Sequence, residues 1–328
     1  MNFLIADIQR IAPGRRQNIA IELISIATRI AAVALCMTNA LCLVHYPWKT
    51  DTPLSVKEMA DLEGYYAKAY AQPSAGPGVE EDPEYVRIAA EAAKAYNVKG
   101  RVESFARTYG LADKKVLDVG AGRGYLQDVV NDYVGLDISP TARRFFHKPF
   151  VHGSATHMPL RTNEFDAAWS IWVLEHVPNP EAALSEIRRV VRDDGLLYLN
   201  PAWNCTPWAA QGYPVRPYSS FDLKGKVIKA VYPIEYAAAY LSRTPVQMTR
   251  YALSRLAGGP TRFRYTLLEP NYREYYMPDS DALNSLDRYE MALWFTSRGD
   301  ECLNCTGFLN GIDASGQPLM IRIHKKGE

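Results

Sequence analysis

The chain has few cysteines, almost no net charge and no internal repeat. Its 328 residues include five cysteines, and an odd number in a chain of this length argues against a disulfide scaffold. Lysine and arginine number 37 against 36 acidic residues, a net charge of +1. Without a broad positive field no nucleic-acid partner is expected, although a local basic patch remains open. Hydrophobic residues make up 48% of the sequence, enough for one elaborated domain or two modest ones.

A metal motif is also missing. Cys302 and Cys305 form a lone C-x-x-C pair, and a zinc site would need two further ligands at matching spacing. His147, His152 and His157 are interpreted as surface or loop residues rather than as these ligands. The sequence therefore predicts no metal site, and it predicts free or core thiols at the two cysteines.

The most apolar stretch, residues 19–44, is long enough to cross a bilayer and follows three arginines. Glu22 and Arg29 lie inside it, and an arginine near the centre of a bilayer costs roughly 2.5–3.5 kcal/mol on insertion scales. We therefore expect a helix that packs on the protein, on a partner or flat on a membrane. A spanning anchor and an export signal remain the alternatives.

One stretch, residues 115–139, organises the chain: KVLDVGAGRGYLQDVVNDYVGLDIS. It predicts a buried strand at 116–119, a G-x-G-x-G turn, a helix at 125–131 and a second strand at 134–137. Glycines let the backbone turn sharply and approach a ligand closely. The aspartate that ends the second strand, Asp137, can accept both hydroxyls of a ribose.

Strands and helices continue to alternate after this stretch. Further strands are predicted at 150–153, 165–170 and 196–199, with helices at 142–146 and 180–192. Two closing strands, at 290–297 and 319–324, are predicted to form an antiparallel pair at one sheet edge. The pattern indicates an α/β fold with a parallel sheet and helices on both faces.

The sequence predicts five segments. They are an apolar helical segment (1–50), a helical extension or lid (51–112), the α/β core (113–200), an aromatic insertion (201–286) and the closing strands (287–328). Tyr65 and Tyr66 are candidates for a lid over a ligand, or they pack against the sheet. Long irregular connections such as the aromatic insertion are usually functional.

The glycine spacing bears on the kind of nucleotide that binds. A nicotinamide or flavin site favours G-x-G-x-x-G, whereas here the third glycine comes one residue early. The Lys-Ser/Thr of a phosphate-binding loop is missing as well. Asp118, just before the turn, would face the cleft and could meet a cationic amine. The turn is therefore not expected to hold a pyrophosphate, which disfavours a nicotinamide oxidoreductase.

VLDVGAGRGYL and GLDIS resemble the first two motifs of class I S-adenosylmethionine-dependent methyltransferases. GSATHMPLRTNEFDAAWSIWVLEHVPNPEAALSEIRRVVRDDGLLYLN is similar in order and spacing to their type 11, small-molecule branch. The resemblance covers about residues 113–200. It implies a doubly wound, mostly parallel seven-stranded sheet with an antiparallel edge strand, and S-adenosyl-L-methionine as cofactor. A cytoplasmic location is expected, with membrane association on the cytoplasmic side as an option.

The resemblance also implies roles for single residues. Asp137 would accept the ribose hydroxyls, Asp118 would hold the amino group, and Ile138 would pack on the adenine. Ser154 stands where the family usually has an aspartate, which puts cofactor affinity in question. The cofactor-binding residues implied are Asp118, Gly120, Ala121, Gly122, Gly124, Asp137, Ile138, Ser154, Ala155 and Ser170.

Methyl transfer needs an aligned nucleophile and sometimes a base. The candidates are His176 and Glu175, which alternatively brace their loop. Residues predicted to line an acceptor site, or else to pack the insertion, are Trp172, Trp203, Trp208, Tyr213 and Arg216. The predicted activity is methylation of a small-molecule or cell-envelope acceptor, sugar-like or lipid-like. The alternative is a non-catalytic methyltransferase-like binding or scaffold protein, membrane-associated through residues 19–44.

Overall fold

The computed structural model describes residues 21–34, 50–52, 55–69, 84–305 and 317–325. Its main feature is a seven-stranded sheet. In order across the sheet, the strands span residues 150–152, 132–137, 115–119, 165–171, 191–200, 319–322 and 301–302. The first five are parallel to one another, and each of the last two is antiparallel to the strand before it. The predicted α/β fold, doubly wound with an antiparallel edge, is therefore confirmed.

The strands are β1 (Lys115–Val119), β2 (Asp132–Asp137), β3 (Phe150–His152), β4 (Phe165–Ile171), β5 (Val191–Asn200), β8 (Glu301–Cys302) and β9 (Leu319–Arg322), with a separate pair, β6 (Thr266–Leu267) and β7 (Asn284–Ser285). The helices are α1 (Val56–Ala69), α2 (Glu84–Ala95), α3 (Val98–Thr108), α4 (Pro180–Val190), α5 (Leu223–Ala257) and α6 (Arg288–Thr296). The division of the chain into five segments stays a prediction.

The central strand β1 has apolar side chains on both faces because helices cover both. Successive side chains of a strand point to opposite sides. Leu117 belongs to the same buried cluster as Leu184 of α4, whereas Val116 belongs to the cluster that contains Val102 of α3. All four side chains are fully buried. The two clusters hold the sheet in a fixed position beneath the site.

Helix α4 receives its N-terminal cap from a distant part of the chain. Its own N-cap residue, Asn179, makes no capping hydrogen bond with its side chain. Instead the carboxylate of Asp51 accepts hydrogen bonds from the amides of Glu181 (3.2 Å) and Ala182 (2.7 Å). A carboxylate there satisfies free amides and complements the helix dipole. Asp51 thus ties the segment before α1 to the core.

The predicted strand at 290–297 is wrong, because these residues lie in helix α6. Asp287 caps this helix by accepting hydrogen bonds from the amides of Tyr289 and Glu290. Residues 290–295 are all buried, so the sequence shows no polar face and reads as an apolar run. The short strand β8 occupies the sheet edge instead.

The helix predicted at 125–131 is wrong as well. The segment after the glycines consists of turns. Its hydrogen bonds, from Gln127 to Gly124 (3.1 Å) and from Val129 to Leu126 (3.0 Å), span three residues rather than the four of an α-helix. The short helix expected at 142–146 is a 3₁₀ segment, Pro140–Phe145.

The expectation of free thiols in the C-x-x-C pair is also wrong. Cys302 and Cys305 are joined by a disulfide, with their Cα atoms 5.5 Å apart. Cys205 is a buried free cysteine. Cys36 and Cys42 lie outside the described residues.

The described part of the apolar segment 19–44 is helical at residues 21–34. Several of its large apolar side chains are exposed, among them Ile21, Ile24 and Ile30. The remainder of the segment lies outside the described residues. Among the helices that the structure describes, none combines the length and apolarity needed to cross a membrane.

Candidate functional site

A cavity of about 610 Å³ lies at the carboxyl ends of the central strands. Asp118 of β1, Asp137 of β2, Ile171 of β4 and Asn200 of β5 all line it. This is the edge of an open α/β sheet at which ligands bind. Helices α1 and α2 cover it with mostly apolar side chains, which include Met59, Leu62, Tyr66, Ile88 and Ala92.

The glycine turn between β1 and β2 forms one wall of the cavity. The amides of Gly120 and Ala121 both donate to the carbonyl of Leu136, at 2.8 and 3.0 Å. Gly120 has a φ of +75°, and a Cβ built there would lie 2.3 Å from Cγ2 of Val173. Only glycine therefore fits this conformation and this contact.

Asp137 presents a buried carboxylate to the cavity. Its Oδ2 accepts a hydrogen bond from the amide of Gly122, and its Oδ1 accepts one from the amide of Ser139, both at 2.8 Å. Burial raises the pKa of Asp137, and the two amide bonds offset part of that rise. Because each carboxylate oxygen has a second lone pair, both oxygens can still accept a hydrogen bond from a ligand.

Asp118 is the second buried carboxylate in the cavity, with 3% of its surface exposed. The hydroxyl of Tyr133 donates to its Oδ2 at 2.7 Å. Burial raises the pKa of Asp118 to about 7. A cationic group of a ligand would stabilise the ionised form, so this position favours a positively charged ligand atom.

Most residues predicted for the cofactor lie on the cavity wall. Those that line it are Asp118, Gly120, Ala121, Gly122, Asp137, Ile138, Ser154 and Ala155. Ser154 forms a local turn, in which its hydroxyl pairs with that of Thr156 at 2.9 Å. Gly124 and Ser170 are not among the lining residues. The Ser170 hydroxyl instead donates to the Val119 carbonyl at 3.1 Å, inside the core.

The loop after β4 has a residue in the left-handed backbone region beside the cavity. Trp172 has a φ of +54°, and its amide donates to the carbonyl of Asn200 at 3.0 Å. Its ring meets that of Tyr96 edge-on, with centroids 6.0 Å apart. A tryptophan rarely adopts a positive φ, and such conformations concentrate at functional sites.

Four ionisable side chains meet beyond this loop, and we call Glu175, His176, Asp279 and Asp281 the carboxylate–histidine cluster. His176 Nδ1 is 3.5 Å from Asp281 Oδ2 and 3.4 Å from its carbonyl oxygen, while Nε2 is 3.8 Å from Glu175 Oε1. His176 and Asp279 line the cavity. One donor atom each from Glu175, His176 and Asp279 lies within 4.8 Å of the others, so these three could hold a metal ion.

Burial and the charges of neighbouring groups together raise the pKa values of Glu175 and His176. Burial raises the pKa of Glu175 to about 7, although its Oε1 accepts the amide of Ala202 at 3.0 Å. Burial alone would lower the pKa of His176, but the surrounding carboxylates raise it above its usual value. The imidazole therefore holds its proton to a higher pH than an exposed histidine does.

The predicted acceptor residues divide into two groups. Trp172 and Trp203 line the cavity, whereas Trp208, Tyr213 and Arg216 are not among the lining residues. Tyr213 stacks on Phe221 at 4.8 Å, and the Arg216 guanidinium lies 4.5 Å from the same ring. These contacts match the alternative in which the residues pack the insertion.

The predicted lid residues lie near the carboxylate–histidine cluster. Tyr66 lines the cavity, and its hydroxyl donates to Asp281 Oδ2 at 3.1 Å. Tyr65 packs against Tyr272, with centroids 4.6 Å apart. Helix α1 thereby contacts the segment that carries Asp279.

Sequence reasoning missed the two aspartates of the cluster. Asp279 and Asp281 lie in YYMPDSDALN, far from the glycine turn in sequence. Asp279 has a φ of +65°. The signal that could have pointed to them is a pair of acids directly after a proline, within an insertion rich in tyrosine.

Comparison with known proteins identifies a family that the core of the chain resembles. Residues 117–199 match the type 11 methyltransferase family, described as a methyltransferase domain. The ubiquinone biosynthesis O-methyltransferase of Glaesserella parasuis is 28% identical over 115 residues, which cover 29% of this chain and 48% of that protein. The fatty-acid O-methyltransferase of Mycolicibacterium smegmatis is 26% identical over 183 residues, which cover 50% and 66%.

Among solved structures, S-adenosylmethionine-bound CalS10, an amino pentose methyltransferase from Micromonospora echinaspora, is 20% identical with a TM-score of 0.32. The match covers 38% of this chain and 60% of CalS10. The chain spans between about a third and a half of the length of the first curated relatives it matches. Residues 117–199 therefore match a methyltransferase domain, which supports the resemblance to class I S-adenosylmethionine-dependent methyltransferases.

Proposed function

We propose that the protein transfers a methyl group from S-adenosylmethionine to an acceptor in the same cavity. One observation supports this most. A single cavity combines the glycine turn and two buried carboxylates with an apolar roof from α1 and α2. The glycine turn and the carboxylates fit a polar cofactor, and the apolar side chains of α1 and α2 leave a wall for an acceptor.

The residues present fit this cofactor. Each oxygen of Asp137 keeps a lone pair for one ribose hydroxyl, because each accepts one backbone amide. Asp118 offers a carboxylate to the amino group. The missing side chain at Gly120 leaves room for Val173 and allows the positive φ of the turn that lines the cavity. When bound, S-adenosylmethionine supplies a methyl group on a positively charged sulfur.

The chain's contribution to the reaction is to align the acceptor and to exclude water. The apolar side chains of α1 and α2 cover the cavity and would keep water from the reacting atoms. Of the two residues predicted for catalysis, His176 lines the cavity and Glu175 does not. We therefore propose that His176 contacts the acceptor and that Glu175 positions the loop through the Ala202 amide.

The acceptor is proposed to have a long apolar part. The α2 side chains that line the cavity are Ile88, Ala89, Ala90, Ala92 and Ala93, none of them charged. Two relatives are named for methylation of fatty acids and for ubiquinone biosynthesis. Both lines of support favour a lipid-like acceptor over a free sugar.

We also propose that residues 19–44 contact the cytoplasmic face of a membrane, where such an acceptor would be found. The support is the helix at residues 21–34, on which Ile21, Ile24 and Ile30 are each more than 60% exposed. In flotation of the full chain with lipid vesicles, Ile24→Glu with Ile30→Glu should reduce binding. Equal flotation of the variant and the wild type would contradict the contact.

Calorimetric titration with S-adenosylmethionine tests the proposed function. Asp137→Asn replaces one acceptor oxygen by a donor group, and hydrogen bonds to a charged partner are worth about 1.5–3 kcal/mol each. We expect at least a tenfold loss of affinity. Asp132→Asn is the matched control, because Asp132 is exposed at the other end of the same strand.

The outcomes separate the alternatives. A folded wild-type chain that does not bind S-adenosylmethionine contradicts the proposal. Binding without transfer of radiolabelled methyl groups into any fraction of a lipid or cell extract favours the non-catalytic scaffold. Transfer into the lipid fraction supports the lipid-like acceptor.

A further inference from the structure

We propose that the carboxylate–histidine cluster binds a divalent first-row metal ion through Glu175, His176 and Asp279. One donor atom from each of the three lies within 4.8 Å of the others. Ligand atoms about 2.0–2.2 Å from one ion are separated by at most roughly 4.4 Å. Movements of a few tenths of an ångström would therefore bring the three into coordination.

The orientation of His176 leaves one ring nitrogen for the ion. Nδ1 faces the carbonyl and the carboxylate of Asp281, at 3.4 and 3.5 Å, and can donate its hydrogen there. Nε2 then carries the lone pair and points toward Glu175 Oε1 at 3.8 Å. That distance is too long for a hydrogen bond and suits two ligands of one ion. A carboxylate behind a metal-ligating histidine is a common arrangement.

The charge of the cluster also calls for a cation. The side chains of Glu175 and Asp281 are fully buried. Glu175 Oε2 and Asp281 Oδ1 have no hydrogen-bond partner in the part of the chain that the structure describes. Nor does any described lysine or arginine pair with Glu175, Asp279 or Asp281. Three carboxylates around one imidazole are costly to bury unless a cation joins them.

The ligand set indicates the kind of ion. One imidazole nitrogen with carboxylate oxygens suits manganese, iron or zinc better than magnesium, which prefers oxygen alone. His176 and Asp279 both line the cavity, so the remaining coordination positions would face its interior. An oxygen atom of the acceptor could occupy one of them. This part rests on the proposed function and deepens it, because it points to an oxygen-containing acceptor group.

The test is titration of the metal-free full chain with Mn²⁺, without S-adenosylmethionine, followed by electron paramagnetic resonance of free Mn²⁺. We expect one ion per chain. Asp279→Asn and Glu175→Gln should each weaken binding by at least tenfold, and Asp281→Asn by about 10–100-fold through loss of histidine orientation. Glu274→Gln is the matched control, since Glu274 is exposed on the same segment as Asp279. Circular dichroism checks that each variant folds.

A second readout covers the case in which a carboxylate variant does not fold. The visible absorption of Co²⁺ added to the chain reports on its ligands, and His176→Gln should change that spectrum. Failure of the wild type to bind Mn²⁺ or Co²⁺, or unchanged binding in all four variants, overturns the proposal. The metal titration contains no methyl donor, and the cofactor titration contains no metal. Failure of the metal site is therefore distinguishable from failure of the proposed function.

Discussion

Replacing Asp118 by asparagine should stabilise the protein at pH 8 and weaken its binding of S-adenosylmethionine. Asp118 is 3% exposed, and burial raises its pKa to about 7. At pH 8 the folded chain therefore holds an ionised carboxylate where water solvates it poorly. Asparagine removes the charge and keeps an oxygen that can accept the hydrogen bond from Tyr133.

The sign of the pH dependence follows from the direction of the pKa shift. An ordinary aspartate has a pKa of 3.8 and Asp118 titrates near 7. Between these values the folded chain keeps a proton that the unfolded chain has released, so stability falls as the pH rises through this window. The full difference corresponds to roughly 4 kcal/mol, of which about 2–3 kcal/mol falls between pH 5 and pH 8.

Urea unfolding at both pH values, followed by tryptophan fluorescence, measures this effect. The stability of Asp118→Asn relative to the wild type should rise by about 2–3 kcal/mol from pH 5 to pH 8. The exposed Asp132→Asn should show no such change. In calorimetry, Asp118→Asn should bind S-adenosylmethionine at least tenfold more weakly. A stability difference that is the same at both pH values would refute the reasoning.

Two further predictions concern stability. In urea unfolding, Gly120→Ala should lower the free energy of unfolding more than Gly110→Ala does. Both glycines have a positive φ, but only at Gly120 would the added Cβ lie against Val173. Equal losses in the two variants would contradict this contact. Asp300→Ala should lower the free energy of unfolding by about 3–5 kcal/mol, since it removes the bidentate carboxylate partner of the buried Arg188. The double variant Arg188→Met with Asp300→Leu should recover most of that loss.

The cofactor half of the site could be predicted from sequence because its determinants are local. Asp118, the glycine turn and Asp137 lie within about twenty residues, so one strand–turn–strand unit brings them to the same cavity. Their roles toward the cofactor remain predictions. Helix α6, which the sequence predicts as a strand, shows the limit of periodicity, because a helix buried on all sides shows no polar face.

The other half of the cavity depends on contacts between distant segments. Asp279 reaches His176 only through the folding of the insertion, and no spacing rule connects them. Arg216 shows the converse case. It is among the residues predicted to line an acceptor site or to pack the insertion, and its guanidinium packs over Phe221 and Tyr276. Residue types identify candidates, and the tertiary structure shows which of their side chains line the cavity and which do not.

The cap that Asp51 provides to α4 bears on the order in which the molecule assembles. Asp51 accepts a hydrogen bond from the amide of Glu181, which is 130 residues away in sequence. Contacts across such separations close long loops and form late compared with the pairing of neighbouring strands. Helix α1, which follows Asp51 closely, should therefore dock after the parallel strands β1 to β5 have paired. The part of the cavity wall that α1 provides would then form late during folding and open early when the chain begins to unfold.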